Sequence, residues 1–223
     1  MKMFRQSVLK ISAVVVMAVI VALASPLLTL AQAGNSTDVK KFMVRVDAAA
    51  GRIISESQLM AFENQPEGIH QVSLLEEFRS PNQWFLSMQA RNRTELDAYL
   101  AVLQVTPDQI IESVFVNSPE LGGGPKAGDK PREGHKVYMI QRSIPGIGLA
   151  PLEKKIAVSI GSQKIIDSLG GTVEWDHSFL TSEGTYCVYR GRDQGVIKEH
   201  AEIAGIPADP ITEVEHIVRN YEF

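Results

Sequence analysis

The sequence predicts an α+β protein made of two βαββαβ units in tandem, preceded by an export signal. Three observations carry this. One order of hydrophobic patterns occurs twice along the chain, a Gly- and Pro-rich stretch from Asn117 to Gly134 separates the two copies, and a charge-free apolar run, Ile11–Leu30, stands before the first. Of the 223 residues, 44% are hydrophobic and 22% charged, which is a globular composition and too apolar for disorder. Lys plus Arg number 22 against 26 Asp plus Glu, a formal charge of −4 that argues against a nucleic-acid partner. The single cysteine, Cys187, excludes an intrachain disulfide and any Cys-pair zinc or iron–sulfur site.

At the start, Lys2, Arg5 and Lys10 are the charges that precede the apolar run, and Ala31-Gln32-Ala33 follows it. Basic residues stay on the cytoplasmic side, the apolar run enters the membrane, and small-x-small is the pattern a signal peptidase cuts. Residues 1–33 therefore read as a signal peptide cleaved after Ala33, giving a periplasmic or secreted protein. The competing reading is an uncleaved membrane anchor over residues 11–30, long enough to span a bilayer. Ser25-Pro26 and the cleavage pattern favour removal, which takes Lys2, Arg5 and Lys10 with it and moves the charge from −4 to −7.

The first unit, residues 39–117, opens with a strand over Lys41–Asp47 and a helix over Ser55–Asn64, where Ser55 suits an N-cap. Strands follow over His70–Phe78 and Trp84–Ala90. Thr94 suits the N-cap of a helix over Thr94–Leu103, which carries Leu96, Tyr99, Leu100 and Leu103 on one side. A strand over Ile110–Val116 closes the unit. Residues 118–134 read as a linker without regular structure, because glycine and proline interrupt every periodicity there.

The second unit, residues 135–219, repeats the order with sharper boundaries. Lys136–Arg142 is a strand, and Pro151–Leu169 a helix stopped by Gly170-Gly171. Thr172–Phe179 and Thr185–Arg190 are strands joined by a turn that contains Ser182, Glu183 and Gly184. Asp193–Ala204 is a helix ended by Gly205 with Pro207 beyond, and Ile211–Val218 is the last strand. Both units thus show the ferredoxin-like order of elements. Two helices cover one face of such a sheet and leave the other face open. The two open faces are expected to pack against each other as an internal pseudo-dimer enclosing a ligand cavity, in a monomer or a homodimer.

Several chemistries lack their motifs. Gly122-Gly123-Gly124 has neither the helix nor the lysine of a phosphate loop. Gly-x-Ser-x-Gly and His-Glu-x-x-His are absent, and Glu199-His200 with Glu202 does not repeat zincin spacing. What stands out is a concentration of imidazole and thiol in the second unit: His135, His177, His200, His216 and Cys187. Trp175 and His177 fall on one strand, Cys187 and Tyr189 on its neighbour, and period-2 parity decides which share a face. His200 lies at the apolar seam of the last helix.

Each residue also has a plain structural reading. Cys187 fits a small buried hydrophobe, Trp175 and Tyr189 a core, His200 a helix-packing imidazole, and His177 and His216 a solvated surface. Set against this is a transition-metal site, since imidazole and thiolate suit nickel, copper or zinc. An enzyme reading would place Arg142, Trp175, Ser178, Tyr189 and His200 in the cavity between the sheets, with His200 as acid/base. A third reading is a non-catalytic interaction module whose binding surface is the first unit.

The second unit resembles a family of small bacterial ferredoxin-like proteins of unknown function that includes a nickel-binding protein. The resemblance rests on Tyr138-Met139-Ile140-Gln141-Arg142, Ile144-Pro145-Gly146, Val173-Glu174-Trp175-Asp176-His177-Ser178 and Gly184-Thr185-Tyr186-Cys187-Val188-Tyr189. It continues through His200-Ala201, Gly205-Ile206-Pro207 and Ile211-Thr212-Glu213-Val214. The chain departs from the family at Gln141, where a Glu is usual, and at Arg190-Gly191, where an Ala-Pro or similar pair is usual. The resemblance implies a protein that binds a metal or small ligand, with Ni(II) or another transition metal as the ion, and the N-terminal signal makes it an exported one. If a metal is bound, His200 and Cys187 are the expected ligands and His177 a further one, while Arg142, Trp175, Ser178 and Tyr189 are the expected ligand-binding residues of the cavity, as in a ferredoxin-like monooxygenase or isomerase.

Overall fold

The computed structural model describes residues 39–48, 54–55, 57–58 and 72–218, all within one compact unit. The expected signal segment lies outside the described residues, and so does most of the expected helix over Ser55–Asn64. The strands are β1 (Lys40–Asp47), β2 (Ser73–Arg79), β3 (Gln83–Ala90), β4 (Gln109–Ser113), β5 (Phe115–Asn117), β6 (Lys136–Ser143), β7 (Val173–Leu180), β8 (Gly184–Gly191) and β9 (Ile211–Val218). The helices are α1 (Arg93–Val102), α2 (Leu152–Ser168) and α3 (Gln194–Ala204). No helix among the described residues is long and apolar enough to cross a membrane.

The helices begin and end where side chains satisfy the free backbone groups. Asn92, rather than the expected Thr94, caps α1: its Oδ1 accepts the Glu95 N–H at 2.9 Å, and the Glu95 carboxylate accepts from the Arg91 N–H in return. Asp193 Oδ1 accepts from the Gly195 and Val196 N–H groups at the start of α3, and Gly205 in a left-handed conformation ends it.

All nine strands join one antiparallel sheet in the order β4-β1-β3-β2-β9-β6-β8-β7-β5. The runs β4-β1-β3-β2 and β9-β6-β8-β7 repeat a single pattern, each with its first and third strands central. Two ladders stitch the runs together. Phe78 of β2 pairs with His216 of β9, and Val116 of β5 pairs with Phe179 of β7. The expected strand Ile110–Val116 is in fact two strands, because the chain changes partners at Val114, whose N–H bonds to the Leu180 carbonyl at 2.9 Å. β4 stays on β1 while β5 crosses to β7, so the ends of the strand order meet at Val114 and the sheet closes into a barrel.

Three apolar clusters follow from this. Met43, Phe78, Phe85, Met139, Phe179 and Val188 are among the residues that fill the inside of the barrel, drawn from both runs. Outside it, Phe42, Val44, Leu86, Leu96 and Leu100 pack under α1. Ile140, Trp175, Tyr189, Val196 and Ile197 pack under α2 and α3. The expected unstructured linker is partly ordered: Pro119–Gly122 forms a 3-10 turn laid on α2, where a Cβ on Gly122 would stand 3.0 Å from the Ile160 amide nitrogen.

Candidate functional site

Alternation along β7 is broken by a bulge between Trp175 and His177. Trp175 and Ser178 therefore share the helix-covered face, where the indole N–H donates to Ser178 Oγ at 2.9 Å, while His177 turns into the barrel. This separates the residues that the sequence grouped. Cys187, 5% exposed, lies under the helices with its Sγ 3.1 Å from Thr185 Oγ1. His200 is fully buried on α3, its Nε2 3.2 Å from Ser162 Oγ, which also meets Tyr189 OH. Arg142 lies on the same face, donates to the Pro207 carbonyl and stands 5.7 Å over the Tyr189 ring. Burial, and secondarily the Arg142 charge, push the His200 pKa down to about 4, so its imidazole is neutral. Burial likewise pushes Tyr189 up to about 12.

Two of the expected groupings are thereby corrected. His177 is on the opposite side of the sheet from Cys187 and His200, so these three side chains do not meet on one ion. Arg142, Trp175, Ser178, Tyr189 and His200 do come together, but under the helices and not in the space between the sheets.

The interior holds a second polar cluster, which the sequence did not reveal. Glu76 of β2, 2% exposed, turns Oε2 to His216 Nε2 at 2.8 Å and to His177 Nε2 at 3.4 Å. His177 Nδ1 lies 3.1 Å from Asp176 Oδ1, and Arg190 pairs with the other Asp176 oxygen while donating to the Gly128 carbonyl. Phe78 stacks on His216 at 4.5 Å, and Phe179 meets His177 edge-on at 4.8 Å. Burial disfavours the charged imidazole of His177, but Glu76 and Asp176 outweigh it and raise the pKa above the ordinary histidine value. Burial also works against the Asp176 carboxylate, yet His177 and Arg190 hold its pKa low. His216 is thus a partly buried partner of Glu76 and not the solvated residue expected.

Of these, Asp176, His177, Arg190 and His216 line a cavity of about 800 Å³ whose other side is formed largely by residues 118–129. Its size is that of a small-molecule site. The signal that could have revealed the cluster is Glu76-Glu77, two carboxylates set between Leu75 and Phe78 in β2.

The donors decide whether a metal ion fits. Glu76 Oε2 lies between the two imidazole Nε2 atoms, and the His177 and His216 ring centres are 6.3 Å apart, so the carboxylate holds the point an ion would need. No group of three or more His, Cys, Asp or Glu among the described residues is arranged to hold a metal. The donors do not fit an ion as they stand.

A closed α+β barrel with a buried ion-pair cluster beneath a cavity defines the class. Within it, residues 138–214 match the family model described as nickel responsive protein SCO4226-like, which is the family that the motifs of the second half resemble. No curated protein matches the chain. Among solved structures, a variant of chlorite dismutase from Candidatus Nitrospira defluvii is similar at 9% identity and a TM-score of 0.44, over 81% of this chain and 91% of that one. The same enzyme in complex with imidazole is similar at 9% identity and a TM-score of 0.42, over 79% and 90%.

Proposed function

We propose that this is an exported small-ligand-binding protein, built from two ferredoxin-like units as an internal pseudo-dimer, whose site is the cavity over His177. The observation that carries the reading is the cavity of about 800 Å³ lined by the buried His177 and Arg190, both engaged by Asp176, with His216 beside them. Buried ion pairs are costly to assemble, and perturbed imidazoles in clefts are more frequent at functional sites than in plain cores. The helix-covered group around His200 has its own support from the resemblance, but there the imidazole is neutral and fully enclosed.

The family match favours one other occupant, Ni(II), by the words of its description. His177 and His216 would supply imidazole donors once Glu76 released them.

The test is native mass spectrometry and titration calorimetry on the chain from Gly34 onward, as purified and with added Ni(II). A co-purified molecule, absent from an Ala127→Trp variant that fills the cavity, supports the ligand reading. Stoichiometric Ni(II) lost in His177→Ala, and kept in the Cys187→Ala, His200→Ala variant, replaces it with the metal reading at this site. Loss only in the Cys187→Ala, His200→Ala variant moves the site under the helices. No bound molecule and no Ni(II) would sink the proposal.

A further inference from the structure

One ring nitrogen at the cavity is both held in place and open. His216 lines the cavity, with 9% of its side chain exposed. Its Nε2 lies 2.8 Å from Glu76 Oε2 and Phe78 stacks on the ring at 4.5 Å, so the imidazole is fixed in position. Nδ1 has no hydrogen-bond partner among the described residues. In contrast to His177 Nε2 and His200 Nδ1, which are also unpartnered, it is not closed off from solvent.

Glu76 decides what this open nitrogen can do. A carboxylate only accepts, so the hydrogen of a neutral imidazole goes on Nε2 and Nδ1 keeps a bare lone pair. The surrounding charges work against a second hydrogen. The carboxylates of the cluster, Glu76 and Asp176, already face His177, Arg190 and the half-buried Lys41, so a further positive charge on His216 would go unanswered.

The walls select the rest of the molecule. Val116, Leu121, Ala127 and Val218 make them apolar, while Glu120, Lys126 and Asp129 are exposed and keep their hydration. An ammonium would donate to Nδ1 as readily as a hydroxyl, but it would lie beside Arg190 and His177. A hydroxyl gains the hydrogen bond without that repulsion.

We infer that the cavity takes a mainly apolar alcohol or phenol whose hydroxyl donates to His216 Nδ1, with Glu76 the positioning residue that makes this nitrogen an acceptor. This rests on the reading of the cavity as the ligand site and names the class of ligand.

The probes are 2-naphthol and 2-methoxynaphthalene, which share a ring system and an oxygen and differ in the hydroxyl hydrogen. In calorimetry near pH 8 the naphthol is expected to bind about tenfold tighter than its methyl ether. His216→Gln sets an amide where Nε2 stood and leaves no acceptor at the Nδ1 position. It is expected to weaken the naphthol about tenfold while leaving the ether unchanged, which a collapsed cavity would not do. His216→Asn sets an amide oxygen near the Nδ1 position and is expected to cost about threefold at most. Circular dichroism checks that both variants fold. Long-range proton–nitrogen NMR is expected to show the His216 hydrogen on Nε2, and an Nδ1 resonance that moves with the naphthol and not with the ether.

Equal binding of the two probes overturns the inference, as does undiminished naphthol binding by His216→Gln, a hydrogen on Nδ1 in the free protein, or no naphthol binding at all. If both probes bind alike and Ala127→Trp abolishes both, the cavity remains a ligand site and the hydroxyl inference alone fails. If neither probe binds and no molecule co-purifies, both readings fail.

Discussion

His177 Nε2 on β7 faces Glu76 Oε2 on β2 at 3.4 Å, joining strands from the two halves of the chain beneath the cavity. The same carboxylate holds His216 at 2.8 Å across the β2–β9 seam. Glu76→Gln keeps the side-chain shape and removes the anion. Because Glu76 helps raise the pKa of His177, the stability it contributes is fully present below the ordinary histidine value and is lost as pH rises through the raised one. The substitution should therefore cost about 3 kcal/mol near pH 6 and distinctly less near pH 9. Urea unfolding at the two pH values checks this, and an equal loss at both would count against it.

His200 predicts the opposite pH dependence. Its pKa is about 4 in the fold against an ordinary 6.5, so its share of stability is present above 6.5 and drains away as pH falls toward 4. Over that window the loss reaches about 3 kcal/mol. A His200→Gln variant should start less stable at pH 8, having disturbed the contact with Ser162, but lose less on acidification. A variant profile as steep as the parent's would show that other groups set the acid limb.

The strand and helix order was legible because each element carries its own signal: continuous apolar runs in β6 and β8, Asp193 and Gly205 around α3. The site was not, for two physical reasons. A bulge in β7 resets side-chain parity between Trp175 and His177, and another in β2 does so between Leu74 and Glu76, so counting by twos assigns faces wrongly beyond them. The partner of Glu76 is also 140 residues away at His216, and only closure of the barrel brings them together. Val114 failed for a related reason: nothing local says that a strand will change neighbours.

Two glycines separate backbone need from chance. A Cβ on Gly184, at the start of β8, would overlap the Arg142 carbonyl of β6, whereas one on Gly161 in the middle of α2 would meet nothing within 4 Å. Gly184→Ala should destabilise by about 3 kcal/mol or more, since backbone atoms must move apart. Gly161→Ala should stabilise by about 0.5–1 kcal/mol through helix propensity. Thermal unfolding of both reads the difference, and similar effects would refute the local geometry.

Cys187 is buried, with its thiol against Thr185 Oγ1, so exposure to a reagent requires the sheet and helices to part. A thiol reagent should label it roughly a hundredfold more slowly than in urea, and Ni(II) should leave the native rate unchanged. Protection that appears only with Ni(II) would instead make the thiol a ligand.

The two halves should not come apart when the chain between them is cut. Arg132 to Gly134 are exposed beyond the residues 118–129 that line the cavity, a suitable place for an inserted protease site. Cleavage there leaves β1 to β5 on one fragment and β6 to β9 on the other. The β2–β9 and β5–β7 ladders still join them, along with the Glu76 contacts to His177 and His216 and the shared interior of Phe78, Phe85, Met139 and Phe179. The nicked protein should elute as one species in size-exclusion chromatography and unfold in a single transition, lowered because the fragments regain chain entropy on separation. Its melting temperature should also rise with protein concentration, as for any complex whose folded form requires two chains. Two species at native pH, or two transitions independent of concentration, would mean that each half carries its own fold and that barrel closure contributes little.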